Sequence, residues 1–234
     1  MKKNSVTGNP RKLPLLISQK PFLKVIAGID NFEPDVIKTL AQAANGLAPA
    51  LDMAADQALL QWIKENTDLI VFVSSLDPQI LYQAFEWGAD ILELGNYEPL
   101  YRNGHTISGQ QVLEWTREVQ QLTQGKIPLC ITIPGKLSIA EQVTLAQQLQ
   151  AAGAEMLQIE NIRDDLAHVI AIRDSVEVPL LLSSDLDVHN LKAAIATGVE
   201  GVGIGNAIRQ AETLAGMKNK IQALQTVCQA VVAL

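Results

Sequence analysis

The sequence predicts a single-domain α/β fold of the (β/α)8, or TIM-barrel, class. Three observations carry that prediction. Short apolar segments alternate with amphipathic helical ones, eight of each. One pattern recurs without gaps in "GADILELGN" (88–96), "GAEMLQIEN" (153–161) and "GVEGVGIGN" (198–206). Apolar runs as continuous as "LIVFVSS" (69–75) suit parallel strands buried on both faces. A length of 234 residues fits one barrel. A doubly wound open sheet is the alternative, and it needs a strand-order reversal that sequence does not show.

Residues 1–22 carry Lys2, Lys3, Arg11, Lys12 and Lys20 with no acid, and read as a solvated basic arm. The barrel then spans 23–234. "LKVIAG" (23–28) opens it, and "GLAPALDMA" (46–54) is a looser copy of the repeat. "LIVFVSS", "IPLCITI" (127–133) and "VPLLLSS" (178–184) alternate with the three clear repeats and end in hydroxyl residues. Each repeat opens on a glycine that suits a left-handed helix cap. Helices are expected near 34–45, 55–66, 77–87, 108–122, 138–152, 163–175, 187–197 and 207–232. Pro78 suits a first helical turn, and Ser108 and Ser138 stand where N-caps belong. The longest irregular stretch, "GNYEPLYRNGHTI" (95–107), is expected as the loop after strand four.

Composition narrows the function. Hydrophobic residues are 48% of the chain and charged ones 18%, enough apolar surface for a large core. The net charge of −7 argues against a nucleic-acid partner. "LPLLI" (13–17) is too short for a membrane span, and no later run is long enough, so a soluble intracellular protein with no membrane partner is expected. Cys130 and Cys228 have apolar neighbours and read as buried free thiols. Exposed helix faces leave a homo-oligomer open.

In a (β/α)8 barrel the chemistry sits at the C-terminal ends of the strands. The repeat aligns Asp52, Glu93, Gln158 and Gly203 there, and one layer higher Ala54, Gly95, Glu160 and Gly205. Ser74, Thr132 and Ser183 align on the alternate strands. Asp52, Glu93 and Glu160 are therefore the candidate catalytic acids, in a polar cup with the hydroxyls, where sharing a partly dry site raises carboxylate pKa values. Lining a barrel end without chemistry is the competing reading of the same residues. No metal or cofactor is assigned. Only His105, His168 and His189 exist, and the latter two fall in helical patterns. Lys24 is placed at the wrong end of strand one for a Schiff base, which leaves Lys136 as the candidate lysine.

Phosphate sites in such barrels use the loops after strands seven and eight. "GVGIGNAI" (201–208) stands at that place. Gly203, Gly205 and Asn206, with Ser183 and Ser184, are the candidate phosphate-binding residues, and Asn206 is expected to cap the next helix. The glycines have a second reading as relief of crowding at the strand end. Asp185, next to Ser184, opposes an anion unless it turns away to cap the helix near 187.

"VIAGIDNF" (25–32), "LDMA" (51–54), "VSSLDP" (73–78), "GADILELGNYEPLYRNG" (88–104), "ITIPGKLSIAEQVTLAQQLQAAGAEMLQIE" (131–160) and "GVGIGNAI" together resemble one family. It is the hypothetical chloroplast reading frame twenty-three family of cyanobacteria and algal plastids. The resemblance covers roughly residues 24–210 and implies a TIM barrel of the phosphate-binding type, with no activity to carry over. It also implies a cyanobacterial cytoplasm or a plastid stroma. The chain departs from the family pattern after Glu160, at Asp185 and at Gly135. Two function classes follow: an isomerase- or lyase-type enzyme acting on a small phosphorylated metabolite, or a non-catalytic ligand-binding or regulatory barrel. A scaffold acting through the basic arm is a third.

Overall fold

The computed structural model describes residues 12–95, 97–160 and 165–232. Eight parallel strands close into one barrel in chain order, with β8 pairing back onto β1. They are β1 (Phe22–Ile26), β2 (Ala50–Ala54), β3 (Ile70–Ser75), β4 (Ile91–Leu94), β5 (Leu129–Ile133), β6 (Met156–Glu160), β7 (Leu180–Ser183) and β8 (Gly201–Ile204). The closure rules out the open sheet.

The helices are α1 (Lys12–Ile17), α2 (Pro34–Ala44), α3 (Gln57–Asn66), α4 (Pro78–Trp87), α5 (Glu98–Arg102), α6 (Gly109–Thr123), α7 (Ile139–Ala151), α8 (Ala167–Arg173), α9 (Leu191–Ala196), α10 (Asn206–Arg209) and α11 (Leu214–Val232). Local chemistry sets their ends. Ser108 and Ser138 each accept from a backbone N–H three residues on and complete capping boxes with Gln111 and Glu141. The repeat glycines Gly88, Gly153 and Gly198 have φ of 92°, 95° and 87°, the left-handed turn expected of them.

Alternation divides each strand between two cores. Outward residues such as Val25, Met53, Val73, Leu92, Ile131 and Leu182 pack under the helices. Inward residues Phe22, Ile70, Phe72, Ile91, Cys130, Met156 and Leu181 fill the N-terminal half of the barrel. Because both faces are apolar there, the strands read as continuous hydrophobic runs. Cys130 and Cys228 are buried free thiols, as expected.

Three local expectations need correction. Residues 1–11 of the expected arm lie outside the described residues, but 12–17 are not a solvated tail. They form α1, whose Leu13 and Leu16 are buried against the inward cluster and close the bottom of the barrel. The loop at 95–107 contains the short helix α5. The single helix expected over 207–232 is two, α10 and α11, broken near Glu212, which has a φ of 55°.

Candidate functional site

A cavity of about 270 Å³ opens at the C-terminal ends of β7, β8 and β1. Ser183, Ser184, Gly203, Gly205 and Asn206 all line it. The residues singled out for phosphate are thus brought together around one space. Ile26 and Gly28 form its β1 side. Arg102 and Arg209 supply guanidinium groups, and Asp30, Asp185 and Asp187 supply carboxylates.

The glycines of β8 have a packing reason first. A Cβ on Gly201 would stand 2.3 Å from the Phe22 ring, and one on Gly203 would stand 2.9 Å from Ile26 Cδ1. A Cβ on Gly205 would meet the Ile26 carbonyl oxygen at 3.0 Å. The bare strand β8 gives room to the side chains of β1. The same absence of side chains leaves Gly203 and Gly205 as backbone in the cavity wall.

Two details differ from expectation. Asn206 is the first residue of α10 and does not cap it; its Oδ1 accepts from Arg209 Nη2 at 2.6 Å. Asp185 does not cap α9. The N-cap position of α9 is Asn190, without a side-chain cap, and Asp187 instead closes the turn before the helix, accepting the His189 N–H at 2.8 Å and the Asn190 N–H at 3.3 Å. Asp185 stays exposed at the cavity, where Ser184 and Asp185 hold φ of 75° and 48°. Left-handed backbone at two consecutive residues other than glycine costs about 1 kcal/mol or more at each.

Below the cavity lies a polar cluster with no solvent exposure. Lys24 reaches from β1 across the barrel to an ion pair with Glu93 of β4. Its Nζ also donates to Gln158 Oε1 at 2.7 Å and sits 4.7 Å from the centre of the Phe72 ring. Gln158 Nε2 donates to Glu93 Oε1 at 2.9 Å and to Thr132 Oγ1 at 3.1 Å. Burial pulls the Lys24 ammonium down, but Glu93 and Asp52 outweigh it and hold the group above its ordinary pKa. The expectation that Lys24 lies at the wrong end of its strand is therefore corrected. It is central, inward and ion-paired, and a protonated amine cannot act as a Schiff-base nucleophile.

Asp52 is the second feature of this cluster. Ser74 Oγ donates to its Oδ1, while its Oδ2 is buried without a hydrogen-bond partner among the described residues. Burial and the neighbouring Glu93 push its carboxyl up to about 7. A protonated Oδ2 fits that environment, because a buried neutral carboxyl costs less than a second negative charge beside Glu93. Burial and Glu93 also push the Cys130 thiol well above the usual range.

Glu160 is placed apart from this cluster by its contacts. It accepts the Tyr97 N–H at 3.0 Å, the Gly135 N–H at 2.9 Å and the Tyr101 O–H at 3.0 Å. Tyr97 is buried, and its hydroxyl donates to the Thr132 carbonyl at 3.0 Å. Lys136 lies over the Tyr101 ring at 4.4 Å from its centre. Glu160 thus ties the segment after β4 and the loop after β5 to the end of β6. The family departure that follows Glu160 falls at 161–164, outside the described residues. His105 is exposed.

Sequence reasoning missed Arg209 and misplaced Lys24. Arg209 Nη1 donates to the carbonyls of Ile26, at 3.2 Å, and Ala27. This clamps α10 to the end of β1 across more than 180 residues of chain. No local pattern marks such a contact. Lys24 did carry a signal: it is the one charge in the inward series Phe22, Lys24, Ile26 of an otherwise apolar strand.

Residues 9–233 match the family described as "Protein of unknown function (DUF561)". The chain belongs to this family. Two relatives bear the description "Uncharacterized protein ycf23". The DUF561 chain is 30% identical to the one from Antithamnion sp. over 90% of its own length and 85% of the relative's. It is 28% identical to the one from Cyanophora paradoxa over 92% and 96%. Among solved structures it resembles 3-hexulose-6-phosphate synthase from Salmonella typhimurium, with a TM-score of 0.70 and 13% identity over 90% of this chain and 99% of that one. It also resembles KGPDC from Streptococcus mutans, with a TM-score of 0.67 and 14% identity over 91% and 99%. At those identities the likeness establishes the barrel alone. Among the described residues, no helix is long and apolar enough to cross a membrane.

Proposed function

We propose that this DUF561 barrel binds a small phosphorylated metabolite in the cavity between β7, β8 and the end of β1. The observation that carries the reading is the convergence of Gly203, Gly205, Ser183, Ser184 and Arg209 on one space of about 270 Å³. Bare backbone lets a phosphate approach N–H groups closely, and a guanidinium adds charge-assisted hydrogen bonds. The structural neighbours support it by analogy of fold, since one of them is named as a 3-hexulose-6-phosphate synthase.

The enzyme form of this reading is an isomerase- or lyase-type reaction with proton transfer by Asp52 and Glu93. Its support is the Asp52 carboxyl held at about 7, where an acid exchanges protons readily at neutral pH. Glu160 moves in this reading from proton carrier to a tie between two mouth loops. The second form is a non-catalytic binding or regulatory barrel. Its support is that Asp52, Glu93 and Lys24 are completely buried and do not line the cavity. A cyanobacterial cytoplasm or plastid stroma fits either form.

The test is thermal melting with phosphate, sulfate, sugar phosphates and the unphosphorylated sugars. Ligands that bind only the folded state raise Tm by mass action. A rise confined to phosphorylated compounds supports the proposal, and no rise at millimolar ligand overturns it. Product formation from the binding compound then favours the enzyme form. Binding without turnover favours the regulatory one.

A further inference from the structure

The cavity contains more than an anion needs. Its lining holds two arginines, Arg209 and Arg102, and three acidic residues, Asp30, Asp185 and Asp187. Two of the carboxylates are occupied. Asp30 pairs with Arg102 at 3.4 Å, and Asp187 accepts the backbone N–H groups of His189 and Asn190. Asp185 differs. Its backbone is held in place, because Asn190 Nδ2 donates to the Asp185 carbonyl at 2.7 Å. Asp185 is exposed and lines the cavity beside Ser184, on left-handed backbone that costs energy to keep. A lone phosphate would be repelled by that carboxylate, whereas a ligand with a positive end opposite its phosphate would be held at both ends.

A divalent cation is one source of positive charge, but no three acidic, histidine or cysteine side chains among the described residues are grouped closely enough to hold one. The carboxylates are spread around a space of about 270 Å³, and that suits a charge carried on an organic body. We infer that the ligand is a phosphate monoester that also carries a primary ammonium group, with its phosphate toward Gly203, Gly205 and Arg209 and its ammonium toward Asp185. This inference rests on the phosphate reading above and names the chemical class within it.

Isothermal titration calorimetry at low ionic strength tests it. The probes are inorganic phosphate, glucose 6-phosphate, glucosamine 6-phosphate and glucosamine, each with the full-length protein and with Asp185→Asn. Glucosamine 6-phosphate is expected to bind about fivefold more tightly than glucose 6-phosphate, the scale of one partly exposed ion pair. In Asp185→Asn that preference is expected to vanish, while glucose 6-phosphate binds at least as well as before. Equal binding of the two sugar phosphates, or a preference that survives Asp185→Asn, overturns the ammonium assignment and leaves the phosphate reading standing. If neither sugar phosphate nor phosphate binds, the phosphate reading fails and this inference fails with it. Glucosamine binding as tightly as its phosphate overturns both.

Discussion

Lys24 and Glu93 stand 69 residues apart in sequence and form an ion pair inside the barrel, with neither side chain exposed. A buried pair of this kind contributes little net stability, but each charge depends on the other. Lys24→Met or Glu93→Leu alone is expected to destabilise the fold by about 3–5 kcal/mol, because the remaining charge and the polar atoms of Gln158 lose a partner. The double variant Lys24→Met/Glu93→Leu is expected to cost much less than the sum. Urea denaturation of the four proteins in a double-mutant cycle checks this; additive losses would contradict it.

Asp52 makes stability depend on pH. Its carboxyl is raised to about 7 by burial and by Glu93, so the folded state holds the proton more tightly than the unfolded chain does. The stabilisation is complete below about pH 4, the ordinary carboxylate range, and is lost as pH rises through the folded-state value. Relative to Asp52→Asn, the protein is expected to lose stability progressively from about pH 4 to pH 7. Urea midpoints across that range measure it, and parallel curves for the two proteins would show that Asp52 does not carry the proton.

Gly201 exists for Phe22. A Cβ there stands 2.3 Å from the ring, so Gly201→Ala is expected to cost about 1–3 kcal/mol through overpacking. Adding Phe22→Leu is expected to recover part of that loss. Thermal melts of the single and double variants decide it, and a neutral Gly201→Ala would mean the strand shifts freely.

Glu160→Gln removes a charge without changing shape. The Glu160 carboxylate accepts from Tyr97, Gly135 and Tyr101, and an amide must turn its own N–H donors toward at least one of them. The expected cost is about 1–3 kcal/mol, felt locally. Faster hydrogen exchange at the Tyr97 and Gly135 amides is the signature, and unchanged protection would rule out the tie between the loops.

Arg209→Lys keeps the charge but loses the planar fork that spans the Ile26 and Ala27 carbonyls and Asn206. Phosphate and sugar-phosphate affinity is expected to fall about tenfold. Calorimetry measures it, and retained affinity would place the anion away from Arg209.

Much of this protein was determined by its sequence alone. The repeat "GADILELGN", its helix-ending glycines and the doubly apolar strands predicted eight alternating strand and helix units, because period and turn chemistry are local properties of the chain, while the pairing of β8 with β1 decided that they close. Period two along the strands also put Asp52, Glu93, Gln158 and Glu160 on the inner face. Only the tertiary structure decided what those residues touch. Lys24 finds Glu93, Arg209 finds the end of β1, and α1 closes the bottom, all through contacts made when the barrel closes. Glu160 looked like a partner for Glu93, yet it is held by the loops after β4 and β5. The aligned acids are equivalent in the repeat, but their partners come from non-equivalent loops and from the strand across the barrel. Pairing of that kind is set by distance in space, which no spacing along the chain encodes.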